Sequence, residues 1–445
     1  MSKRFIVSIL FLIVLLTSAK AQEKLNFAEV DKHSYQLFLD GKWPELIMYS
    51  AAARKQGIDF FYLKVRTGIA FYNQKKYRNS SHWFLKAWET DQSFEWLQEY
   101  VYYSLVYGGQ KLEAVKIAGN FSENMKKKIG WKESGMTRIA YEGGLSFNSD
   151  FNQLKTRDYK TLSNLGSDYG EAYILKNYGF HSVDLSHRLA SNLTLNHSLT
   201  YIGVNREALV DWGDHTSSEI KINQFNYYIN PVWIIGKTFN LSPSLNVILG
   251  SGDVYAGRLT TNSEKAFSLS TATYRDAVFS TSIWFGITNF SPGVEINAGR
   301  INDSEFAQVS AWVTLYPLSN ANLYFTPKVY FKTESGINSV GWNALGLSGG
   351  AQLGQFHFYG QYLFGNMENF VEAGGYLVSN FHGKTNRKIM GSVYFPLGKK
   401  YQFVLRYVNQ DMTEQYQVYS SAVKSRSLDY NYSKHTITGG ISWNF

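Results

Sequence analysis

The chain contains no cysteine among its 445 residues. Disulfide bonds, thiolate metal sites and attachment of a lipid through cysteine are therefore excluded. Long apolar segments are also missing, since the longest apolar run covers residues 5–16 and is interrupted once. A helix needs about 20 residues to cross the roughly 30 Å of hydrocarbon in a bilayer. We therefore expect no transmembrane helix.

Charge is scarce as well. Charged residues make up 18% of the sequence, and the formal net charge is +9. This excess is modest and spread along the chain, so it indicates a solvated basic surface that favours anions such as lipopolysaccharide phosphates. It does not indicate a nucleic-acid-binding protein.

Signature motifs of enzymes are missing too. The sequence has no G-x-S-x-G elbow, no H-E-x-x-H pair and no Walker loop. The run Asp-Trp-Gly-Asp-His at 211–215 offers two carboxylates and an imidazole, but such a cluster is more often a polar surface loop. His181, His187 and His197 belong to neighbouring predicted strands, yet His197 falls on an apolar face. The sequence predicts no catalytic site, no metal site and no cofactor.

The first residues have the organisation of a secretory signal. Lys3 and Arg4 precede the apolar run, and the small residues Ala19 and Ala21 occupy the −3 and −1 positions of a cleavage site. A charged start, a short apolar stretch and small residues before the cut are typical of a signal peptide. We expect cleavage after residue 21.

The next part of the chain repeats with a period of 34 residues. The triplets at 41–43, 75–77 and 109–111 each separate two stretches of helical apolar spacing. This period is typical of tetratricopeptide repeats, in which small residues let paired helices cross closely and aromatic residues fill the space between them. An unrelated array of helical hairpins is the alternative. The residues predicted to pack the repeats are Gly41, Trp43, Gly68, Phe71, Tyr77, Phe84, Ala87, Gly109 and Ala114.

Beyond Thr137 the apolar period changes from helical to two. In residues 401–407, for example, Tyr, Phe, Leu and Tyr alternate with Gln, Val and Arg, as in half-buried strands. A soluble β-sandwich or propeller would alternate in the same way. The segments are about 9–14 residues long, which suits tilted membrane-crossing strands better than soluble strands of about 5–6. We therefore predict an antiparallel transmembrane β-barrel.

The barrel is expected to have 14 strands, because a single-chain barrel of this kind has an even number. Twelve or 16 strands are alternatives, with residues 370–381 as a further strand. Long outer loops are expected near 206–217, 256–272 and 411–433. The predicted strands lie near 136–148, 170–187, 192–205, 218–235, 239–255, 272–289, 293–301, 305–317, 321–334, 339–352, 355–365, 386–396, 400–411 and 434–445.

The last strand carries the most specific pattern. Ile437, Ile441, Trp443 and Phe445 share one face, and this resembles the C-terminal recognition signal of Gram-negative outer-membrane barrels. The resemblance implies a lipid-facing strand that pairs first with the barrel-assembly machinery. It also implies a location in the outer membrane, with the helical part in the periplasm.

Four basic side chains are predicted to face the barrel interior: Arg300, Lys328, Lys332 and Arg406. Two interpretations stay open. In one they line a passage for anionic solutes or sugars. In the other they pair with acids such as Glu295 and Glu372 and fill a structural interior.

The predicted fold is therefore a multidomain α + β chain. It has a signal peptide (1–21), a periplasmic helical repeat domain (22–130) and a barrel (131–445). The arrangement resembles exopolysaccharide-export porins and YaiO-type outer-membrane proteins. The resemblance implies a non-enzymatic protein whose repeats recruit a periplasmic protein and whose barrel transports or exports a polysaccharide or other envelope polymer. A closed scaffold or assembly component is the alternative, and a surface hydrolase is a third hypothesis.

Overall fold

The computed structural model describes residues 25–259, 265–335, 337–398, 400–421 and 424–445. The predicted signal peptide lies outside these residues. The chain forms two compact units, of which one ends at Ser104 and the other is Leu105–Phe445. No helix in the described part of the chain is long and apolar enough to span a membrane.

Seven helices precede the first strand in the described residues. Within the predicted repeats, the helices of each pair are joined by a short turn, and the residue at the same place in all three turns has positive φ: Gly41 (+65°), Lys75 (+58°) and Gly109 (+78°). Glycine adopts this left-handed conformation without a Cβ penalty. The helices are α1 (Phe27–Leu39), α2 (Trp43–Lys55), α3 (Phe61–Asn73), α4 (Tyr77–Trp88), α5 (Glu95–Tyr107), α6 (Lys111–Ala118) and α7 (Glu123–Ile129).

Helices α3 and α4 approach closely where the sequence places a small residue. A Cβ added to Gly68 would lie 2.6 Å from the Phe84 ring, and Phe84 and Ala87 are completely buried. Trp43 packs against a buried cluster at the α1–α2 pair, while Tyr77 meets Tyr72 edge-on. Phe71 is half-buried and Ala114 is buried. The structure thus has helical hairpins at the predicted spacing, and their assignment as tetratricopeptide repeats stays a prediction.

Fourteen strands of the described chain close into one antiparallel barrel in which β1 pairs with β16, as predicted. The strands of the wall are β1 (Gly135–Asn148), β2 (Tyr169–Ala190), β3 (Leu193–Trp212), β4 (Asp214–Ile235), β5 (Phe239–Leu259), β6 (Lys265–Phe285), β7 (Phe290–Ile301), β8 (Ser304–Leu315), β9 (Leu323–Glu334), β10 (Ile337–Leu353), β11 (Phe356–Met367), β14 (Lys384–Leu397), β15 (Tyr401–Ser421) and β16 (Lys424–Asn444).

Two expectations about this region are wrong. The described residues of the three predicted outer loops mostly continue the strands, because β3–β4, β5–β6 and β15–β16 extend as ladders far beyond the apolar part of the wall. Residues 370–381 do not add a strand to the wall. They contain two three-residue strands, β12 (Phe370–Glu372) and β13 (Leu377–Ser379), which pair only with each other.

Side chains of the wall alternate between an apolar outside and a polar inside. On β7, Val294 and Ile296 are 44% and 53% exposed, whereas Glu295 and Asn297 are 3% and 0% exposed. Similar exposed apolar residues recur on the other strands of the barrel. The outer surface thus has the composition of a wall that faces hydrocarbon.

The barrel has a near end, where the first strand begins and the last one ends, and a far end. At the near end, α6 is anchored on the turns of the barrel. Lys116 donates to the carbonyl oxygens of Ile234 (3.2 Å) and Gly236, and Ala321 N–H donates to the Tyr107 carbonyl. These contacts explain why the boundary between the two units falls at Leu105, within the helical region. The change from helices to strands comes later in the chain, after α7.

At the far end, short strand β1 leaves a gap beside β2. The tip of β15 fills part of it by pairing with β2, where Val418 opposes Gly170. Two short helices, α8 (Phe151–Lys155) and α9 (Tyr159–Leu162), cover this added pairing with Leu154 and Tyr159. The far end therefore carries its own small core.

Replacing Gly68 with alanine is expected to destabilise the helical unit. The new methyl group overlaps the Phe84 ring, and overpacking of this kind costs about 1–3 kcal/mol, more than the gain of about 1 kcal/mol that alanine has over glycine in a helix. Thermal loss of helical circular dichroism in the full-length protein measures the effect. Met48→Ala, at a position 66% exposed, is the control and should leave the transition unchanged. Equal transitions for both variants would contradict the close contact.

Candidate functional site

The connection between β11 and β14 folds back into the barrel. We call residues 368–383 the inner hairpin. Its two short strands are antiparallel: Phe370 lies opposite Ser379, and Glu372 lies opposite Leu377. The tip turns through Ala373, Gly374 and Gly375, whose φ values are +54°, +65° and +84°.

Polar side chains of the wall bind the backbone of the inner hairpin on two sides. On one side the Tyr228 hydroxyl donates to the Gly374 carbonyl (3.1 Å), and Asn246 Nδ2 donates to the Gly375 carbonyl (2.9 Å). On the other side Gln308 both donates to and accepts from the backbone of Val371 (2.7 and 3.2 Å). The inner hairpin thus connects β4 and β5 to β8, inside the part of the wall formed by β6 and β7.

Ion pairs extend this network. Glu372 of the inner hairpin accepts from Lys388 Nζ (2.7 Å) and from Gln361 (3.2 Å). Glu295 accepts from Lys328 Nζ (3.1 Å) and from the Gly374 N–H (3.3 Å). Both acids named from the sequence therefore fix the inner hairpin to the wall.

The remaining predicted lumen residues have different surroundings. Lys332 lies on the inner face, pairs with Glu334 (2.7 Å) and donates to the carbonyl of Glu368 at the base of the inner hairpin. Arg406 also faces inward and pairs with Glu142 (2.8 Å). Of the two interpretations, these contacts favour the filled interior.

Arg300 does not line the interior. It shares the outward parity of Val294 and Ile296 on β7, its side chain is 58% exposed, and it pairs with Asp303 in the adjoining turn. The alternation of β7 already contained this information, because an even-numbered residue there faces outward.

A chamber of about 410 Å³ lies on the near side of the inner hairpin's tip. Ala373 and Gly374 form its roof, and Trp284 and Trp312, close to the near ends of β6 and β8, lie in its walls. Its other walls include Tyr228, Asn230, Ser282, Glu295, Thr326, Lys328, Tyr330, Ser348, Tyr359, Gln361 and Glu372. Aromatic walls with a few polar groups are typical of small-molecule sites.

A buried ion pair holds the extended hairpin of β15 and β16 at the far end. Arg206 and Glu414 approach within 3.1 Å, and their side chains are only 2% and 5% exposed. The hydroxyls of Tyr430 and Tyr432 donate to the same carboxylate at 2.9 and 2.6 Å. This cluster joins β3 to the last hairpin.

The run at 211–215 forms part of the β3–β4 turn. His215 Nδ1 lies 2.8 Å from Asp211, and the Tyr416 hydroxyl donates to the same carboxylate at 2.8 Å. Asp211 and His215 are opposed in the ladder, which accounts for the contact structurally. The described residues contain no group of three or more potential metal ligands. His187 and His197 stack on each other at 5.2 Å.

The final strand lies where its pattern predicts. Ile437, Ile441 and Trp443 are 52%, 38% and 40% exposed on the outer face. Phe445 N–H donates to the Thr137 carbonyl (3.1 Å), and the Phe445 ring stacks on the Trp443 ring. Recognition of this strand by assembly machinery stays a prediction.

No protein-family model and no curated protein sequence matches the chain. Among solved structures it is similar to a FadL homologue of Pseudomonas aeruginosa (7% identity, TM-score 0.45, 77% of this chain and 94% of that one). The toluene transporter TodX of Pseudomonas putida has 7% identity and a TM-score of 0.45 over 71% of this chain and 90% of its own. The translocator domain of autotransporter NalP from Neisseria meningitidis has 11% identity and a TM-score of 0.30, covering 77% and 99%.

Replacing Glu414 with glutamine is expected to destabilise the far end strongly. The substitution leaves the Arg206 guanidinium buried without its anion, and removing one partner of a buried pair costs about 3–5 kcal/mol. The midpoint of urea unfolding of the barrel in lipid vesicles measures the loss. Asp411→Asn is the matched control, since it breaks the half-exposed pair with Arg387, for which the expected loss is about 0–1 kcal/mol. If both variants unfold at the wild-type midpoint, the buried pair contributes nothing to stability.

Proposed function

We propose that this chain is a gated transport protein of the outer membrane and that the inner hairpin is its gate. The outward apolar residues of the wall support a membrane location. The closed sheet supports it as well, because a barrel satisfies every backbone group of its wall without an open edge. The position of the inner hairpin between the chamber and the far end supports the gate. That position is the observation that carries the proposal.

The attachment of the inner hairpin supports its movement. Among the described residues, its two strands pair with each other and with no strand of the wall. Side-chain hydrogen bonds and ion pairs hold it to the wall, each worth about 1–3 kcal/mol or less. Phe370 and Val371 add apolar packing against inward-facing residues of the wall. Movement of the hairpin therefore leaves the backbone ladder of the barrel intact.

The dimensions favour a small solute over a polymer. A chamber of about 410 Å³ is in the range of small-molecule sites, roughly 300–1,000 Å³. Export of a polysaccharide requires a continuous passage for an extended chain, which the inner hairpin crosses in the present arrangement. We therefore propose transport of small solutes in place of polymer export.

A closed scaffold is the second candidate. The observation that favours it is that charges in the interior are paired: Glu295 with Lys328, Glu372 with Lys388, and Arg406 with Glu142.

We also propose that the unit ending at Ser104 binds a periplasmic protein. Exposed aromatic side chains on its helices, such as Tyr35 (48%) and Tyr62 (51%), support this.

A disulfide across the gate tests the proposal in a chain with no native cysteine. A Cβ built on Gly375 lies 3.1 Å from the Cβ of Ser280, within a few tenths of an ångström of the roughly 3.5–4.5 Å found in disulfides. The variant Gly375→Cys with Ser280→Cys should show lower conductance in planar bilayers when oxidised and recover when reduced. A second variant lacking residues 370–379 should conduct more than wild type.

The single variants Ser280→Cys and Gly375→Cys are the matched controls, because the second carries the same backbone strain at a φ of +84°, and the conductance of neither should respond to reductant. Equal conductance of the double variant in both redox states, together with no increase on deletion of residues 370–379, would contradict the gate. That result would favour the closed scaffold.

A further inference from the structure

We propose that the chamber is a binding site for an uncharged saccharide of one or two rings. This inference rests on the proposed transport function and names the class of its substrate. The chamber combines three properties that together select such a ligand: flat aromatic walls, several neutral polar groups, and charges that are already paired. Each property comes from residues of the wall or of the gate.

Aromatic side chains form the flat walls. Trp284 and Trp312 enter from β6 and β8, and Tyr228 and Tyr359 contribute from β4 and β11. Sugar rings have apolar C–H faces that pack on aromatic rings, which provide large contact area with little loss of side-chain freedom. A ring-shaped ligand therefore fits these walls better than a flexible chain.

The wall around Trp312 is held in place. Lys328 Nζ lies 4.8 Å from the centroid of the Trp312 ring and 4.9 Å from that of Tyr330. The same ammonium binds Glu295 at 3.1 Å. Because both rings contact one fixed cation, they are pre-organised for a ligand, which reduces the entropic cost of binding.

Neutral polar groups also line the chamber. Ser282, Thr326 and Ser348 supply hydroxyl groups, and Asn230 and Gln361 supply amides. Hydroxyl and amide groups both donate and accept hydrogen bonds. They match the hydroxyl groups around a sugar ring, which need partners when they leave water.

The charges of the chamber argue against an ionic ligand. Glu295 is paired with Lys328, and Glu372 is paired with Lys388. A charged ligand would find no unpaired counter-ion among these residues and would gain no ion pair to offset the loss of its hydration. The structure therefore favours a neutral ligand over an anionic or cationic one.

The ligand would also touch the gate. Ala373 and Gly374 line the chamber, and the Gly374 N–H binds Glu295. A saccharide that contacts these residues only while the inner hairpin is in place binds one state of the gate better than the other. Such a difference in affinity shifts the equilibrium between the two states.

Isothermal titration calorimetry of the full-length protein in detergent tests the site, with glucose, maltose, glucuronate and glucosamine as probes. Glucose or maltose should bind saturably, and the two charged sugars at least about tenfold more weakly. Trp312→Leu and Trp284→Leu should each weaken binding about tenfold, since each removes an aromatic wall. Trp233→Leu is the matched control: it changes a tryptophan on the outer face, opposite Leu193 and Leu241, and should bind like wild type.

Absence of binding by all four sugars overturns the inference, as does equal affinity in the three tryptophan variants or tighter binding of a charged sugar. Two variants of the chamber keep the test decisive if one of them fails to fold. Failure of the transport function gives a different result: saturable saccharide binding with no effect of the gate disulfide on conductance. Gated conductance without saccharide binding would contradict only the substrate class.

Discussion

The need to pair every backbone N–H and C=O group of the wall determines the rest of this structure. An apolar exterior offers these groups no partner, so the sheet has to close on itself. The antiparallel ladder between β1 and β16, from Arg138 opposite Asn444 to Asn148 opposite Lys434, closes it. Closure in turn separates the two faces of each strand, because neighbouring side chains point to opposite sides. The polar faces are then all directed into one interior.

That interior creates a second requirement. A barrel of 14 strands is wider than one of about eight strands, which side chains alone can fill. The inner hairpin supplies the missing volume, and its own backbone groups then need partners. Tyr228, Asn246 and Gln308 provide them, and Glu295 binds the Gly374 N–H. Polar residues on the inner face therefore have a structural reason as well as a functional one.

Local pattern was enough to predict the wall but not its contents. All 14 strands of the wall can be predicted from the alternation of apolar and polar residues and from turn residues, because both signals depend on only a few neighbouring positions. The far-end ladders were missed because residues 206–217, for example, contain four charged residues and a glycine, a composition that is common in loops. The inner hairpin was missed because residues 370–381 look like a strand, and only distant residues such as Gln308 determine that they turn inward. The outward direction of Arg300 could have been read from Val294 and Ile296.

The two kinds of contact in the barrel separate stability from movement. The wall is a continuous backbone ladder, whereas the inner hairpin is attached by side-chain hydrogen bonds and ion pairs of Gln308, Lys388 and Asn246 and by apolar packing of Phe370 and Val371. These contacts all lie in the interior, so breaking them leaves the hydrocarbon-facing surface unchanged. Breaking the ladder would expose backbone groups to lipid, at a cost of several kcal/mol for each group. Movement of the inner hairpin would therefore cost less than opening the wall.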